Sequence, residues 1–511
     1  MVSLSLHTYD SDILISVSLS LSLSHTHTHT HIFFSLVLIL CKKRPGMDKF
    51  QSSSEEDKWR EDMRIRINEA TDLDAALFTE ISKPPKALVD VKPQSYRPQI
   101  LTIGPLHEML SGSPVLYDVK ASCVNKFMKA HDISDVEELM QHLFYDPSEL
   151  HNHYSDLPEY SSETLQLLVT VDTIVIREFL RFIPTQWDSI LEEHTQFCKI
   201  CNNNIAFKQV LGDLFLMGNQ IPVSYLKKLI DEFPKNSELE WDELQEGLNY
   251  AVAIIDPFFI SKGLSLQEMG YIFETPEFVS CNHLLDFLYV WVLRERSQMS
   301  GSKPTKPWRF PRLRDLFETK QEPRKKTIFG DRLPTVSQLS KAGIGFRAIE
   351  GAISVMNYNK RKLRLDLPRL LMKDRTEDVL RNLLAHEQTS KGSGEFTKYV
   401  AIMDSLIDTP KDVAILTKAQ VIENHLGSDE KLLKMWNDMC TNIDIRPCER
   451  WDEMIRDVLD DYENPDHAIY AEFREKYLSR PWLAISLLVG FLLLLMSILQ
   501  TGYGIAAYYQ S

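Results

Sequence analysis

Between Trp482 and Tyr503 the chain reads WLAISLLVGFLLLLMSILQTGY, a run without one charged side chain. As a helix rising about 1.5 Å per residue it spans roughly 33 Å. That matches a hydrocarbon core roughly 30 Å thick, so the run is long enough for a single crossing. Twelve of its first eighteen residues are Leu, Ile, Val or Phe. Their insertion is worth on the order of −5 kcal/mol, which Ser486, Gly490 and Ser497 offset only in part. Trp482 and Tyr503 bracket the run as interfacial aromatics do. The competing reading is a buried core helix, apolar on all sides, but such helices are usually shorter, roughly 10–14 apolar residues.

Charge sets the expected orientation. Arg474, Lys476 and Arg480 precede the run and no charged side chain follows it. The positive-inside rule then places the body in the cytosol. A span this near the C-terminus leaves the ribosome only when synthesis ends, which fits tail-anchored insertion.

With 511 residues, 44% of them hydrophobic and 25% charged, the chain has an ordinary globular composition. The net charge of −15 argues against a free-standing nucleic-acid binder, so no nucleic-acid partner is expected. The seven cysteines, Cys41, Cys123, Cys198, Cys201, Cys281, Cys440 and Cys448, are scattered and form no disulfide framework, which fits a reducing compartment. No Asn-x-Ser/Thr acceptor occurs, in keeping with a body outside the secretory lumen.

Residues 1–46 read as a translated leader and not as structure. Leu19–Ser24 repeats Leu-Ser and His25–His31 repeats His-Thr, the products of dinucleotide repeats in nucleic acid, and Met47 is the expected start. Two other readings compete. Ile32–Cys41 has the length of a signal-peptide core, but Lys42, Lys43 and Arg44 follow it instead of preceding it. His25, His27, His29 and His31 are a tract able to bind metal ions incidentally.

Residues 47–80 read as an acidic, mobile head. Residues 81–300 open with a proline-broken lead-in (Pro84, Pro85, Pro93, Pro98 and Pro105) that cannot be one helix. Helical spacing follows, with Leu165, Leu168, Val169 and Ile176 on one face, and Val210, Leu211, Leu214, Phe215 and Met217 on another. A turn at Gly218–Ile221 leads to a helix opening at Pro222-Val223, and further helices are expected over Glu238–Asp256 and Cys281–Arg296. Residues 301–332 are a basic, proline-containing linker, read as a solvated loop before an anionic-lipid patch or a nuclear signal.

Residues 333–480 begin with a helix around Leu339 capped by Thr335 or Ser337 and broken by Gly343 and Gly345. Lys362–Leu367 alternates charged and apolar residues, the strongest strand signal in the chain. Thr376 is the expected N-cap of Glu377–His386, with further helices over Tyr399–Ile407, Val413–Ile422 and, capped by Ser428, Asp429–Met439. A partly helical Trp451–Phe473 leads to residues 481–511, the anchor and its short tail.

The motifs that could carry chemistry are each incomplete or better explained by structure. Cys198 and Cys201 form a CxxC with His194 nearby, but zinc normally needs a second spaced pair. Gly343-x-Gly345-x-x-Ala348 mimics a dinucleotide fingerprint without the preceding strand, and His386-Glu387 lacks the second histidine of HExxH. Asp404, Asp408 and Asp412 recur every four residues, but Pro410 interrupts them, so a solvated face outweighs a cation site. Asn219-Gln220 marks either a binding turn or a pair satisfying backbone groups, and the latter is favoured. No catalytic, cofactor-binding or metal-binding residue is assigned, and no cofactor.

Several segments in order resemble the plant "domain of unknown function 247" family. They are Tyr96-Arg-Pro with Thr102-Ile-Gly-Pro-Leu-His107, Asp213-Leu-Phe-Leu-Met-Gly-Asn219-Gln-Ile-Pro222, His283-Leu-Leu-Asp286, Leu333-Pro-Thr-Val-Ser-Gln-Leu-Ser-Lys-Ala-Gly343-Ile, Thr376-Glu-Asp-Val-Leu-Arg-Asn382-Leu and Met403-Asp404 with Leu406-Ile-Asp408-Thr. The tail from Pro481-Trp482 to Gln500-Thr501 is also similar. Two places depart from the family pattern: Gly218 stands where glutamate is usual, and Asp172-Thr-Ile-Val175 where Asp-Gly-Cys-Phe is usual. The resemblance implies a plant source and a mostly helical body with a membrane tail, and brings no catalytic residues. Some members are linked to pollen self-recognition in grasses, a role the resemblance alone does not carry to this chain.

The expectation is therefore a mainly α protein: a large helical body with a small β element and one C-terminal transmembrane helix. Its partners are the lipid bilayer, through Trp482–Tyr503, and an unidentified protein. The leading function is non-enzymatic interaction or signalling at a membrane surface. The alternatives are an enzyme with unrecognised chemistry and a cell-surface recognition protein.

Overall fold

The computed structural model describes residues 2–9, 12–19, 64, 81–107, 113–144, 150–154, 157–185, 196–234, 237–258, 276–294, 332–390, 392–465 and 481–510. The basic linker at 301–332, apart from Arg332, and nearly all of the acidic head lie outside them. The chain divides into two units, Met1–Leu77 and Phe78–Ser511.

In the first unit, β1 (Val2–Tyr9) and β2 (Asp12–Leu19) pair antiparallel, Val2 opposite Leu19 and Tyr9 opposite Asp12. The alternation of apolar residues and serine over Val2–Leu6 has the period of two that a strand requires.

The second unit is mainly helical. Helix α1 (Pro114–Ala130) starts at Ser113, whose hydroxyl accepts from Leu116 N, with Pro114 where its missing N–H costs nothing. Then come α2 (Val136–Leu143) and α3 (Ser162–Thr185). Asn203 caps α4 (Asn204–Asp213), Pro222 precedes α5 (Val223–Glu232), and α6 (Ser237–Ile255) follows. Helix α3 is the axis of this group, with α1, α2, α5 and α6 packed on it. Asp172 to Leu180 are all buried, so every polar group among them needs a partner. Thr173 Oγ1 donates to Val169 O (2.7 Å), Arg177 pairs with Glu178 and with Glu240 of α6, and Arg181 Nε meets Glu243 at 2.9 Å.

Helix α7 (Leu284–Leu293) is almost wholly apolar, and its N-cap is His283, whose Nδ1 accepts from Asp286 N. Thr335 and Gln338 form the capping box of α8 (Val336–Lys341), the first of the two caps expected there. Glycine 343, at φ +88°, then turns the chain into β3 (Gly345–Ile349). The sequence reading saw only a break at Gly343 and Gly345, yet the chain continues as a strand because β5 (Arg364–Pro368) gives it a parallel partner. Strand β4 (Asn357–Asn359) pairs antiparallel on the other side, giving the order β3-β5-β4. The expected strand at Lys362–Leu367 starts two residues late, since Leu363 is left-handed (φ 46°). Its alternation does not mark a solvent face: Asp366 is buried, held by Arg347 (3.1 and 3.0 Å) and Arg364 (2.8 Å).

Strand β6 (Leu370–Met372) precedes α9 (Thr376–Thr389), α10 (Glu395–Leu406) and α11 (Pro410–Lys418). Strand β7 (Ile422–Asn424) pairs with β6 in parallel. The sequence reading ran a helix on to Ile422, but α11 ends at Lys418 because Gln420 takes a left-handed conformation (φ 59°), which frees Ile422 to pair with Leu370. Thr376 is the first helical residue and not the cap; its hydroxyl donates to Leu371 O and accepts from Lys373 N. Helices α12 (Asp429–Met439, capped by Ser428) and α13 (Glu449–Tyr462) complete the body. The last helix is α14 (Pro481–Gln510).

Residues far apart in sequence meet at one buried junction. Asp213, at the end of α4, accepts from Gln99 N (3.1 Å), Ile100 N (2.7 Å) and Leu101 N (3.0 Å), and Arg375 approaches it at 3.3 Å. Burial pushes its carboxyl pKa up, and the three backbone donors and Arg375 oppose that. Asn382 of α9 donates to Ser95 O (2.7 Å) and accepts from Met217 N (2.7 Å).

Candidate functional site

The described chain offers two features with functional content: the groove between α1 and α3, and helix α14.

The groove encloses about 560 Å³ and is closed at one end by the segment Thr102–His107. Helix α1 turns Leu116, Val119, Cys123 and Phe127 into the core, which leaves Tyr117, Lys120, Ala121 and Val124 along the groove. Helix α3 contributes Leu167, Leu168, Val171 and Asp172, one stripe at helical spacing. The outer rim is apolar and open, with Tyr117 46% and Leu167 39% exposed.

The inner end is polar. Lys120 Nζ donates to Asp172 Oδ1 (2.5 Å) and to Thr102 O (2.7 Å), and Gly104 N donates to Asp172 Oδ2 (2.9 Å). Burial pushes the Asp172 pKa up, with Lys120 the largest opposing influence. Only glycine fits at position 104: φ is +69°, and a Cβ would lie 2.3 Å from Gln220 O. Gln220 is itself fixed, donating to Leu214 O (2.6 Å) and Leu216 O (3.0 Å) and accepting from Leu285 N (3.1 Å). Its neighbour Asn219 donates to Leu101 O and Asp213 O and accepts from Ile103 N. The Asn219-Gln220 pair thus satisfies backbone groups and holds the groove's end wall from behind.

His107 completes that wall. Its Nε2 is buried without a hydrogen-bond partner among the described residues. Burial, aided by Lys83 and Arg97, pulls its pKa down to about 4, so the ring is neutral at pH 7. A histidine whose folded pKa lies below its unfolded value stabilises the fold above the unfolded pKa, and that stability is lost as pH falls. From pH 7 to about pH 5 the body should lose about 2 kcal/mol through this residue. Urea midpoints at the two pH values check this, and His107→Phe should flatten the acid-side slope.

Nothing in the groove has the form of an activated nucleophile. Burial pushes the Cys123 thiol up to about 12, and the side chain faces the core. Elsewhere, Cys198 is exposed and Cys201 buried, both as free thiols, while His194 lies outside the described residues. No group of three or more potential metal ligands converges among the described residues. Asp404, Asp408 and Asp412 do not converge either. Asp412 caps α11 through Thr409 N (2.9 Å) and accepts from Ser337 N (2.7 Å), whereas Asp408 is exposed. His386 Nε2 lies 3.3 Å from Asp286, and Glu387 accepts from Phe396 N (3.1 Å), Thr397 N (2.6 Å) and Tyr289 Oη (2.5 Å). Both residues of that dipeptide are therefore used in tying α7, α9 and α10 together.

Sequence reasoning passed over Lys120 and Asp172 as partners. Asp172 left one trace: a lone charge inside the apolar stretch Leu167–Ile176, which demands a buried counter-charge. Lys120 left none.

Helix α14 differs from every helix of the body. Its window Leu488–Ile505 has a mean hydropathy of 1.8 and is 0% buried. At 30 residues it is about 45 Å long, enough for the hydrocarbon core and part of the headgroup region. Two of its hydroxyls turn back onto its own backbone: Ser486 Oγ donates to Trp482 O (2.9 Å) and Thr501 Oγ1 to Ser497 O (2.8 Å). Each is thereby satisfied within its own helix, as an apolar medium requires.

A predominantly helical body with small sheets and a C-terminal helix long and apolar enough to cross a membrane defines the class of protein. The chain belongs to the plant "domain of unknown function 247" family, described as plant protein of unknown function, whose profile matches residues 81–496. It is similar to two UPF0481 proteins of Arabidopsis thaliana. One is 26% identical over 88% of this chain and 96% of the relative; the other is 20% identical over 84% and 86%. No solved structure matches it.

Proposed function

We propose that the protein is a non-enzymatic interaction or signalling protein, held on a membrane through Trp482–Tyr503 with its body in the cytosol, where it meets a protein partner. The observation that carries this reading is the exposed apolar surface of α14. Leucines 488, 493 and 494 are each about 60% exposed or more, and Phe491 is 61% exposed. Leaving such a continuous apolar surface in water costs roughly 25 cal/mol per Å². A helix buried in the core of a soluble protein would hide that surface, and this one does not. The flanking charge (Arg474, Lys476 and Arg480 before the run, none after it) favours the cytosolic orientation. The structural employment of Asp172, Glu387, Asp412 and Asp213 favours a non-enzymatic role, since each carboxylate is engaged by buried N–H, hydroxyl or ammonium groups.

Fractionation of a chain starting at Met47 and tagged at its N-terminus tests this. The chain should stay with membranes through carbonate extraction, and protease on intact membranes should remove the tag. Deleting residues 481–511 should give a soluble, folded body. A protected tag would instead place the body across the membrane and favour cell-surface recognition. Unfolding on deletion would make α14 a structural helix and end the anchor reading.

A further inference from the structure

The groove between α1 and α3 keeps hydrogen-bonding capacity beyond the bonds that hold its end wall. Its volume of about 560 Å³ lies within the range of small-molecule sites. Its walls carry Val124, Met128, Leu168 and Val171, with Asn125 and Thr164 as the polar residues among them, and its charged pair, Lys120 and Asp172, stands at the inner end beside Thr102 and Gly104.

The groups at the inner end specify a head. An ammonium carries three donors. Lys120 spends two, on Asp172 Oδ1 and Thr102 O. A carboxylate has about four acceptor sites. Asp172 spends two, on Lys120 and Gly104 N. One donor and spare acceptor sites therefore remain side by side among the described contacts. The Lys120–Asp172 pair is neutral overall, and the side chains are only 12% and 1% exposed. A ligand carboxylate would set a second negative charge beside Asp172, and a ligand ammonium a second positive charge beside Lys120; like charges placed together cost several kcal/mol. A hydroxyl meets both groups without added charge, accepting from Lys120 and donating to Asp172.

We propose that this groove binds an uncharged, mainly apolar alcohol, its hydroxyl on Lys120 and Asp172 and its hydrocarbon body along Val124, Met128, Leu168 and Val171 toward the open rim. Such an alcohol reaches the groove either from the bilayer or from water.

The test uses the full-length protein in phosphatidylcholine vesicles and diazirine-bearing probes, with adducts mapped by mass spectrometry. The probes are a hexadecanol derivative resident in the bilayer, an octanol derivative added from water, and the hexadecanoic acid derivative matched to the first. At least one alcohol should label peptides of Pro114–Ala130 and Ser162–Thr185, about ten-fold more than the acid does, since each ten-fold corresponds to about 1.4 kcal/mol. Labelling by hexadecanol points to the bilayer as source, and labelling by octanol alone to water. Ala121→Trp places a large ring in the groove from an exposed position, so it should cut labelling about ten-fold while the thermal midpoint stays unchanged. Labelling confined to Pro481–Gln510, equal labelling by acid and alcohol, or indifference to Ala121→Trp overturns the proposal.

Discussion

Asp213→Ala lowers the stability of the body by about 3–5 kcal/mol, the range for removing one member of a buried charged pair. The carboxylate is fully buried and gathers Gln99 N, Ile100 N and Leu101 N at 3.1, 2.7 and 3.0 Å, with Arg375 at 3.3 Å. Alanine removes the only acceptor these atoms share. Each buried donor left without a partner costs about 1–3 kcal/mol, and the Arg375 guanidinium loses one of its two carboxylate partners, keeping Asp378 at 3.6 Å. Asp213→Asn keeps one carbonyl oxygen in place and should cost roughly half as much. Urea denaturation followed by tryptophan fluorescence measures both. A shift within about 0.5 kcal/mol of wild type, as at an ordinary surface site, would mean that the junction does not hold the body together.

The second large effect comes from a methyl group. Gly247 lies in α6 where that helix crosses α3, and a Cβ there would stand 2.0 Å from Leu180 O and 2.7 Å from Leu180 C. Both obstacles are backbone, so no side-chain rotation relieves the clash. Gly247→Ala must push the helices apart, stretching the Arg177–Glu240 and Arg181–Glu243 pairs that span the same contact. Overpacking of this kind costs about 1–3 kcal/mol and sometimes more, and the rigid obstacle puts it at the upper end. Helix propensity alone predicts the opposite sign, a gain of about 1 kcal/mol for alanine. A thermal melt therefore separates the two: a lower midpoint supports the close crossing, and a higher one removes it.

What could be read from the sequence was local or periodic. The last helix, long and apolar enough to cross a membrane, shows in unbroken apolar composition over one length. The caps at Thr335 and Ser428 show because a cap and its helix are neighbours in the chain. The family resemblance rests on ordered segments that the profile over 81–496 also spans. The larger misses share a physical cause, partners remote in sequence. Strands β6 and β7 are three residues each, too short to display a period, and exist because Leu370 finds Ile422. Asp366 reads as the polar member of an alternating strand, yet it is buried because Arg347 and Arg364 converge on it. The polar end of the groove joins Thr102, Lys120 and Asp172, which no short window contains together. Thr376 differs from these in having a local cause: its hydroxyl serves the turn from Leu371 and not the helix it begins.

The junction at Asn382 has a consequence for how the protein comes into being. Its bond to Ser95 O joins residues 287 positions apart. At about 5–20 residues per second, translation takes roughly 15–60 seconds to cover that distance. Throughout that interval the segment bearing Ser95 has been made and its permanent partner has not. Tyr96, which ends up buried, stays uncovered on the same side until Arg381 arrives with its carbonyl. The body of this protein is therefore one that a cell must shelter while it is being made. Heat shock or a shortage of chaperones should reduce its yield more than that of helical proteins of similar size whose contacts close within a few dozen residues.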